Sequence, residues 1–292
     1  PNKTTFPKAT NANKYRKWIG YITYTQFMLD HGRDLRPVGR EYVPLSINSR
    51  ACTYHGEETA GGTFDFPPRE QPTHAARRAL IAAIEVVRDR NSSLPDPSQG
   101  DQVSVISFDT LSGAGPVVEQ PLTTNFKQAM QSCTRLQAVG DKGATTATEG
   151  GLELARQHLA SKREGGKGRE FTNKIVVLLT DGVPNLYASS DSEINGYIAQ
   201  NPSSDFYNNG AYWYDGALMQ VSIMDDQRWQ IYPVGVGLGT DYDFMDRMAR
   251  MGNTATGAGQ SARGSGNPAE YEQRLTEIFE EIITNPKARL VQ

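Results

Sequence analysis

The residues best placed to do chemistry form the string Leu178-Leu179-Thr180-Asp181-Gly182-Val183-Pro184-Asn185. It closes Lys174–Thr180 (KIVVLLT), a nearly continuous apolar run that reads as a central strand buried on both faces of a parallel sheet. Open α/β sheets bind ligands just outside the carboxyl ends of their strands. Asp181 stands at that point, where Gly182 and Pro184 turn the chain away; a carboxylate there can also do no more than cap the turn. A second polar loop, Gly143-Ala144-Thr145-Thr146-Ala147-Thr148-Glu149, runs into a helix and offers hydroxyls and backbone N–H groups. Hydroxyl residues before a helix are routine N-caps. Thr148 alone can do that, which leaves Thr145 and Thr146 without a structural reason. One carboxylate with one or two hydroxyls suits a hard divalent cation such as Mg2+, which takes oxygen ligands and keeps several waters. Lacking Cys and His, the set makes a poor zinc site.

Alternating helix-like and strand-like segments would position these loops. Thr73 can cap a helix over Ala75–Arg90, with Ala76, Leu80, Ala83, Ile84 and Val87 on one face. Gln102–Phe108 alternates as a strand, Val117–Glu119 is a short edge strand, and Phe126–Leu136 is a modest helix. Glu149–Ser161 is a helix with Leu152, Ala155 and Leu159 facing inward. Pro184–Tyr214 is polar and aromatic and reads as an insertion. Asp215–Gln227 (helix), Arg228–Gly235 (strand), Asp243–Met251 (helix) and Pro268–Thr284 (helix) follow. Strands separated by helices imply right-handed crossovers and a doubly wound, mostly parallel sheet. Residues 1–72 break the rhythm: Lys14–His31 is mostly helical in pattern, and Arg36–Arg69 is rich in Pro, Gly and Thr and reads as irregular.

Composition narrows the function. The chain has 292 residues, 30 Lys and Arg against 33 Asp and Glu, and a net charge of −3, so it carries no electrostatic footprint for nucleic acid. No apolar run approaches the roughly 18–20 residues that span a bilayer. Two cysteines, Cys52 and Cys133, are too few for a disulfide scaffold or a thiolate zinc site; they allow one bridge in an oxidising compartment or, equally, two unpaired core thiols.

The strand-ending LLTDGVPN, the GATT loop with its helix EGGLELA, the strand IYPVGVG, and VSVISF after the helix Ala75–Arg90 together resemble a von Willebrand factor type A domain. The resemblance spans roughly Thr73–Thr284. It implies a Rossmann-like sheet flanked by helices, with a metal-ion-dependent adhesion site at the carboxyl end. Asp181 matches the family's aspartate, usually a ligand acting through water. The Gly-Ala-Thr spelling makes Thr145 the family's threonine, whereas counting back from Gly151-Leu152 makes it Thr146. The family's Asp-x-Ser-x-Ser motif is not found; Asp30–Asp34 has the spacing with the wrong hydroxyl positions, and Leu45–Ser49 lacks the leading Asp. The first strand and its motif are therefore expected to lie before Pro1, with residues 1–72 an insertion into a domain formed by 73–292. A metal-free domain is the rival.

The function expected is a non-catalytic protein-binding or adhesion module in which bound Mg2+ accepts a partner's acidic side chain. Gly182, Asn185, Tyr212 and Trp213 would help shape the binding face, because aromatics are enriched at binding hot spots. The aromatics of 184–214 can equally serve only to pack that insertion down. The closing helix and Pro286–Gln292 are similar to the ends of type A domains in tight-adherence (Flp-type) pilus-assembly proteins. That implies an extracytoplasmic, cell-envelope location with any membrane anchor outside this chain, and it motivates a Cys52–Cys133 bridge. Two other readings are a metal-free assembly scaffold and, with no nucleophile–base pair to support it, a metal-assisted hydrolase around Asp181. Gly235–Gly239 lacks dinucleotide spacing, and no histidine shows metal-ligand pairing; His158 reads as exposed on its helix.

Overall fold

The computed structural model describes residues 55–67, 73–96, 99–111, 115–136, 145–180, 183–236, 239–263 and 270–284. Strands β1 (His55–Thr59) and β2 (Gly62–Phe66) make an antiparallel hairpin. It lies inside the stretch read as irregular. Its alternation is real but short: Phe64 and Phe66 are buried while Thr63 and Asp65 between and beside them face solvent.

Helix α1 (Thr73–Asn91) follows, then β3 (Val103–Ser107) and β4 (Val117–Thr123), paired antiparallel with a register shift. β4 is four residues longer at its end than Val117–Glu119 and carries Pro121 within it. Helix α2 (Phe126–Cys133) starts at Asn125, whose side chain accepts from the Gln128 amide. Helix α3 (Thr148–Leu159) leads through a 3-10 turn at Lys162–Glu164 to β5 (Ile175–Thr180). The insertion contains helix α4 (Asp191–Gln200), opened by a Ser190–Glu193 capping box. Its last aromatic residues are the first turn of α5 (Tyr212–Asp226). Strand β6 (Gln230–Gly235), helix α6 (Tyr242–Met251), the two-residue strand β7 (Ala262–Arg263) and helix α7 (Tyr271–Thr284) complete the chain.

β5, β6 and β7 run parallel in that order, as the crossover pattern requires. Helices cover both faces. Leu152 and Ala155 of α3, Leu218 and Val221 of α5 and Phe244 and Met248 of α6 pack with Val176, Leu178 and Ile231. On the other face Ala79 and Ala83 of α1 and Leu275 and Phe279 of α7 pack with Tyr232 and Val234. A third cluster joins the hairpin's Phe64 and Phe66 to Ile81 and Ile84 of α1 and to Met130 and Cys133 of α2. Glu57 of β1 meets His74 at 3.1 Å and Arg78 at 3.0 Å, and Arg78 reaches Glu272 at 2.7 Å, fastening the hairpin to α1 and α7.

This is the α/β architecture expected, with one correction. β5 is buried on one face only: Val176, Leu178 and Thr180 are buried, whereas Ile175 and Val177 are each 36% exposed. The cause is its neighbour on the side away from β6: no strand pairs with that edge among the described residues. The apolar run is composed for a central position that its described partners do not provide.

Candidate functional site

The polar loops meet at the carboxyl end of the parallel strands. The Thr146 amide donates to Asn185 Oδ1 at 2.8 Å, and the Asn185 amide donates to the Thr146 carbonyl at 3.1 Å. This reciprocal clasp joins the loop before α3 to the loop after β5, although 39 residues separate the two. The Ala147 amide donates to the Asp109 carbonyl at 3.1 Å and ties in the end of β3 as well. Thr145 and Thr146 are half-buried, and neither hydroxyl has a hydrogen-bond partner among the described residues. Asp181 and Gly182 lie outside the described residues.

Thr148 does not cap its helix. Ala147 holds the N-cap position without a side-chain bond, and Thr148 is the first helical residue, fully buried, its Oγ1 without a partner. Once inside the helix its hydroxyl can no longer reach back to the first-turn amides, whereas its methyl finds the core.

The residue that organises the site is Glu149, which carries no charge pattern that would mark it in sequence. It is fully buried, and its carboxylate accepts from the Ala188 amide at 2.7 Å, the Ser189 amide at 3.2 Å and the Ser189 hydroxyl. A carboxylate is tolerated in a dry interior when its lone pairs are filled in this way. Helix α5 comes close enough that a Cβ at Gly216 would lie 2.5 Å from Glu149 Oε2. Glu149 thus fastens the first turn of α3 to the insertion and to the start of α5. The only sequence signal for it was a carboxylate one residue into a helix next to two glycines.

Most of the aromatic residues pack rather than project. Tyr207 stacks on Tyr214 at 4.5 Å, Tyr214 meets Phe244 edge-on at 5.0 Å, and Arg247 lies over the Tyr207 ring at 4.1 Å. Their hydroxyls donate to Asp243 (3.0 Å) and Asp241 (2.7 Å), and burial together with these carboxylates drives both phenol pKa values upward. Asp215, buried, accepts from the Tyr207 amide at 2.7 Å, and desolvation raises its pKa. Tyr212 lies beside Tyr187, ring centroids 5.9 Å apart, and its hydroxyl meets Asn195 at 3.1 Å. Trp213 is different: it is 38% exposed, and Val183, on the way to the Asn185 clasp, is 42% exposed.

Among the described residues the donors at this end fit Mg2+ in kind. Two hydroxyl oxygens stand free, but no three His, Cys, Asp or Glu side chains converge to hold a metal among the described residues. Elsewhere, His158 is half-buried rather than exposed: the Leu122 amide donates to its Nε2 at 3.2 Å, and burial lowers its pKa. The Cys133 thiol is fully buried and pushed up to about 12 by desolvation; the Cys52–Cys133 pairing lies outside the described residues, as do Asp30 and Asp34. Among the described residues no helix is long and apolar enough to cross a membrane.

The family model of the von Willebrand factor type A domain matches residues 64–183. Among solved structures, proximal thread matrix protein 1 from the mussel byssus, with a zinc-occupied adhesion-site motif, is 17% identical over 70% of this chain and 43% of its own, with a TM-score of 0.45. The pilus adhesin SpaC of Lactobacillus rhamnosus GG is 16% identical over 73% of this chain and 28% of its own (TM-score 0.47). BatB of Bacteroides thetaiotaomicron is 15% identical over 75% of this chain and 91% of its own (TM-score 0.46). The chain thus spans less than half the length of the mussel protein. A search of the curated proteins gave no match.

Proposed function

We propose that this chain, whose residues 64–183 belong to the von Willebrand factor type A domain family, is a non-catalytic protein-binding module that engages its partner at the carboxyl end of the parallel strands. The observation that carries the reading is the Thr146–Asn185 clasp. It holds the hydroxyl-bearing loop before α3, whose Thr145 and Thr146 hydroxyls have no partner among the described residues, against the loop after β5, while Glu149 fixes the insertion whose exposed Trp213 lies in the first turn of α5. Pre-organised polar groups, with an exposed aromatic on the segment that Glu149 fastens to the same helix, suit binding. The rival reading, a metal-assisted hydrolase around Asp181, would need a nucleophile–base pair beside it.

In the finer reading, Thr146 and Asp181, with Thr145 as the alternative hydroxyl, hold Mg2+, whose open coordination position would take an acidic side chain of the partner. Gly182, Asn185, Tyr212 and Trp213 form the surrounding face. The setting is extracytoplasmic, in a bacterial cell-envelope or tight-adherence pilus-assembly protein whose membrane anchor lies outside these residues. The division into an N-terminal segment, 1–72, and a domain, 73–292, with an insertion near 184–214, is part of the same reading.

Calorimetric titration of Mg2+ and Mn2+, followed by acetyl-Gly-Glu-Gly-amide, tests it. Cation binding that is lost in Asp181→Ala, with peptide binding only in the cation's presence, supports the metal-dependent module. No cation binding by the folded chain sinks that reading and leaves the metal-free scaffold.

A further inference from the structure

The loop from α3 to β5 lies at the amino end of the parallel strands, opposite the Thr146–Asn185 clasp. Residues 161–174 carry Lys162, Arg163, Lys167, Arg169 and Lys174 against Glu164 and Glu170, a net +3 in a chain of net −3. The loop is built rather than loose. Ser161 and Glu164 close a capping box, and Gly165 turns the chain at φ 88°. The amides of Gly166, Lys167 and Gly168 then donate back to the carbonyls of Ser161, His158 and Ala160 at 2.8–2.9 Å. A Cβ at Gly166 would lie 2.1 Å from the Ala160 carbonyl oxygen, so only glycine allows this close return.

This scaffold sorts the charges. The Glu164 carboxylate is tied back onto the Ser161 amide at 3.1 Å and its hydroxyl at 2.7 Å. Arg169 reaches the Gly100 carbonyl and Gln102 Oε1, and Lys174 Nζ donates to the Arg169 carbonyl, so both anchor the loop itself. Lys162, Arg163 and Lys167 are exposed and make no ion pair among the described residues. Beyond them stands Phe171, wholly exposed, with its backbone at φ 55°. A bulky residue in the left-handed region is a genuine outlier, and a phenyl ring without protein cover gains nothing from burial to offset it. The other loops at this end carry Asp96, Asp101, Asp225 and Asp226, so the cationic, aromatic display is confined to the α3–β5 loop.

We propose that this loop docks on an anionic lipid bilayer, with the Phe171 ring in the boundary between headgroups and acyl chains and Lys162, Arg163 and Lys167 on the headgroups. An aromatic ring beside unpaired cations is the composition of an interfacial anchor. A fluid interface also takes side chains displayed separately, whereas a folded partner would need a complementary surface. The proposal is independent of the binding reading, because it concerns the other end of the strands. Together they orient the molecule: docking by the amino end turns the clasp and Trp213 away from the bilayer.

The test is cosedimentation of the full chain with phosphatidylcholine vesicles that contain or lack phosphatidylglycerol. Expected is partition onto the anionic vesicles alone, weakened by added salt. Lys162→Ala, Arg163→Ala and Lys167→Ala should each lower it about fivefold, and Phe171→Ala about tenfold. All four side chains are exposed, so the melting temperature should stay that of the parent. Phe171→Trp should add fluorescence that brominated acyl chains quench beyond the parent's level. No partition onto anionic vesicles overturns the proposal. So does partition that Phe171→Ala leaves unchanged, which would mean adsorption by charge alone, or binding to polyglutamate with none to vesicles, which would make the loop a site for acidic polypeptide.

Discussion

β5 and β6 are neighbours of equal length, and the more hydrophobic of the two is the less buried. β6 reads QIYPVG, with Gln230 and Pro233 in it, yet every residue is buried. β5 reads IVVLLT and leaves Ile175 and Val177 36% exposed. Burial is a property of the surroundings, and composition records the surroundings a segment is suited to. β6 has β5 on one side, β7 on the other and helices on both faces; among the described residues β5 lacks one of these four.

The contrast can be broken by putting the same charge in both strands. Val234→Asp in β6 places an unpaired carboxylate in a dry core and should cost roughly 4 kcal/mol or more. Val177→Asp in β5 should stay within about 1 kcal/mol. Equal urea midpoints for the two variants would show that β5 is as enclosed as β6.

At the site, Glu149→Ala should cost about 2–4 kcal/mol, because the Ala188 and Ser189 amides lose their acceptor and a void opens under the insertion. Glu149→Gln keeps one acceptor and should recover part of this; urea denaturation of both measures the difference. Gly216→Ala pushes a methyl against Glu149 and should cost about 1–3 kcal/mol by the same assay. Among the aromatics, Tyr214→Phe loses its bond to Asp241 and should cost about 1 kcal/mol, whereas Trp213→Ala should leave thermal stability within about 0.5 kcal/mol. A larger loss for Trp213 would make it a packing residue.

The smallest effect is titration of His158. Burial depresses its folded-state pKa below the unfolded value near 6.5, so the unfolded chain takes the proton first. Its contribution is complete above about pH 6.5 and is lost as pH falls from there toward the folded-state value. His158→Asn should flatten that part of the stability–pH profile, and an unchanged profile would contradict the assignment.

Much of the fold was legible because helices and parallel strands advertise themselves through periodicity. Leu152 and Ala155, read as facing inward, are buried, and the end of β5 falls at Thr180 as expected. The hairpin β1–β2 was not legible: five-residue strands with Gly56, Glu57, Glu58 and Thr59 carry too little pattern, and their stability comes from docking on α1 and α2. At the site, the conjunction of the Thr146 and Asn185 loops was foreseeable from strand-end logic. Glu149 was not, because its donors, the amides of Ala188 and Ser189, belong to backbone that any sequence has. Thr148 misled for a related reason: a threonine at a helix start serves as a cap or as a core methyl according to a single residue of register.

Glu149 also sets an order of assembly. Its carboxylate has nothing to bond until the first turn of α3 and residues 188 and 189 are all in place, so the insertion can settle only onto a helix already formed. Hydrogen exchange should find residues 184–214 opening at a lower free energy than the β6 core, with the Ala188 and Ser189 amides the slowest within that segment.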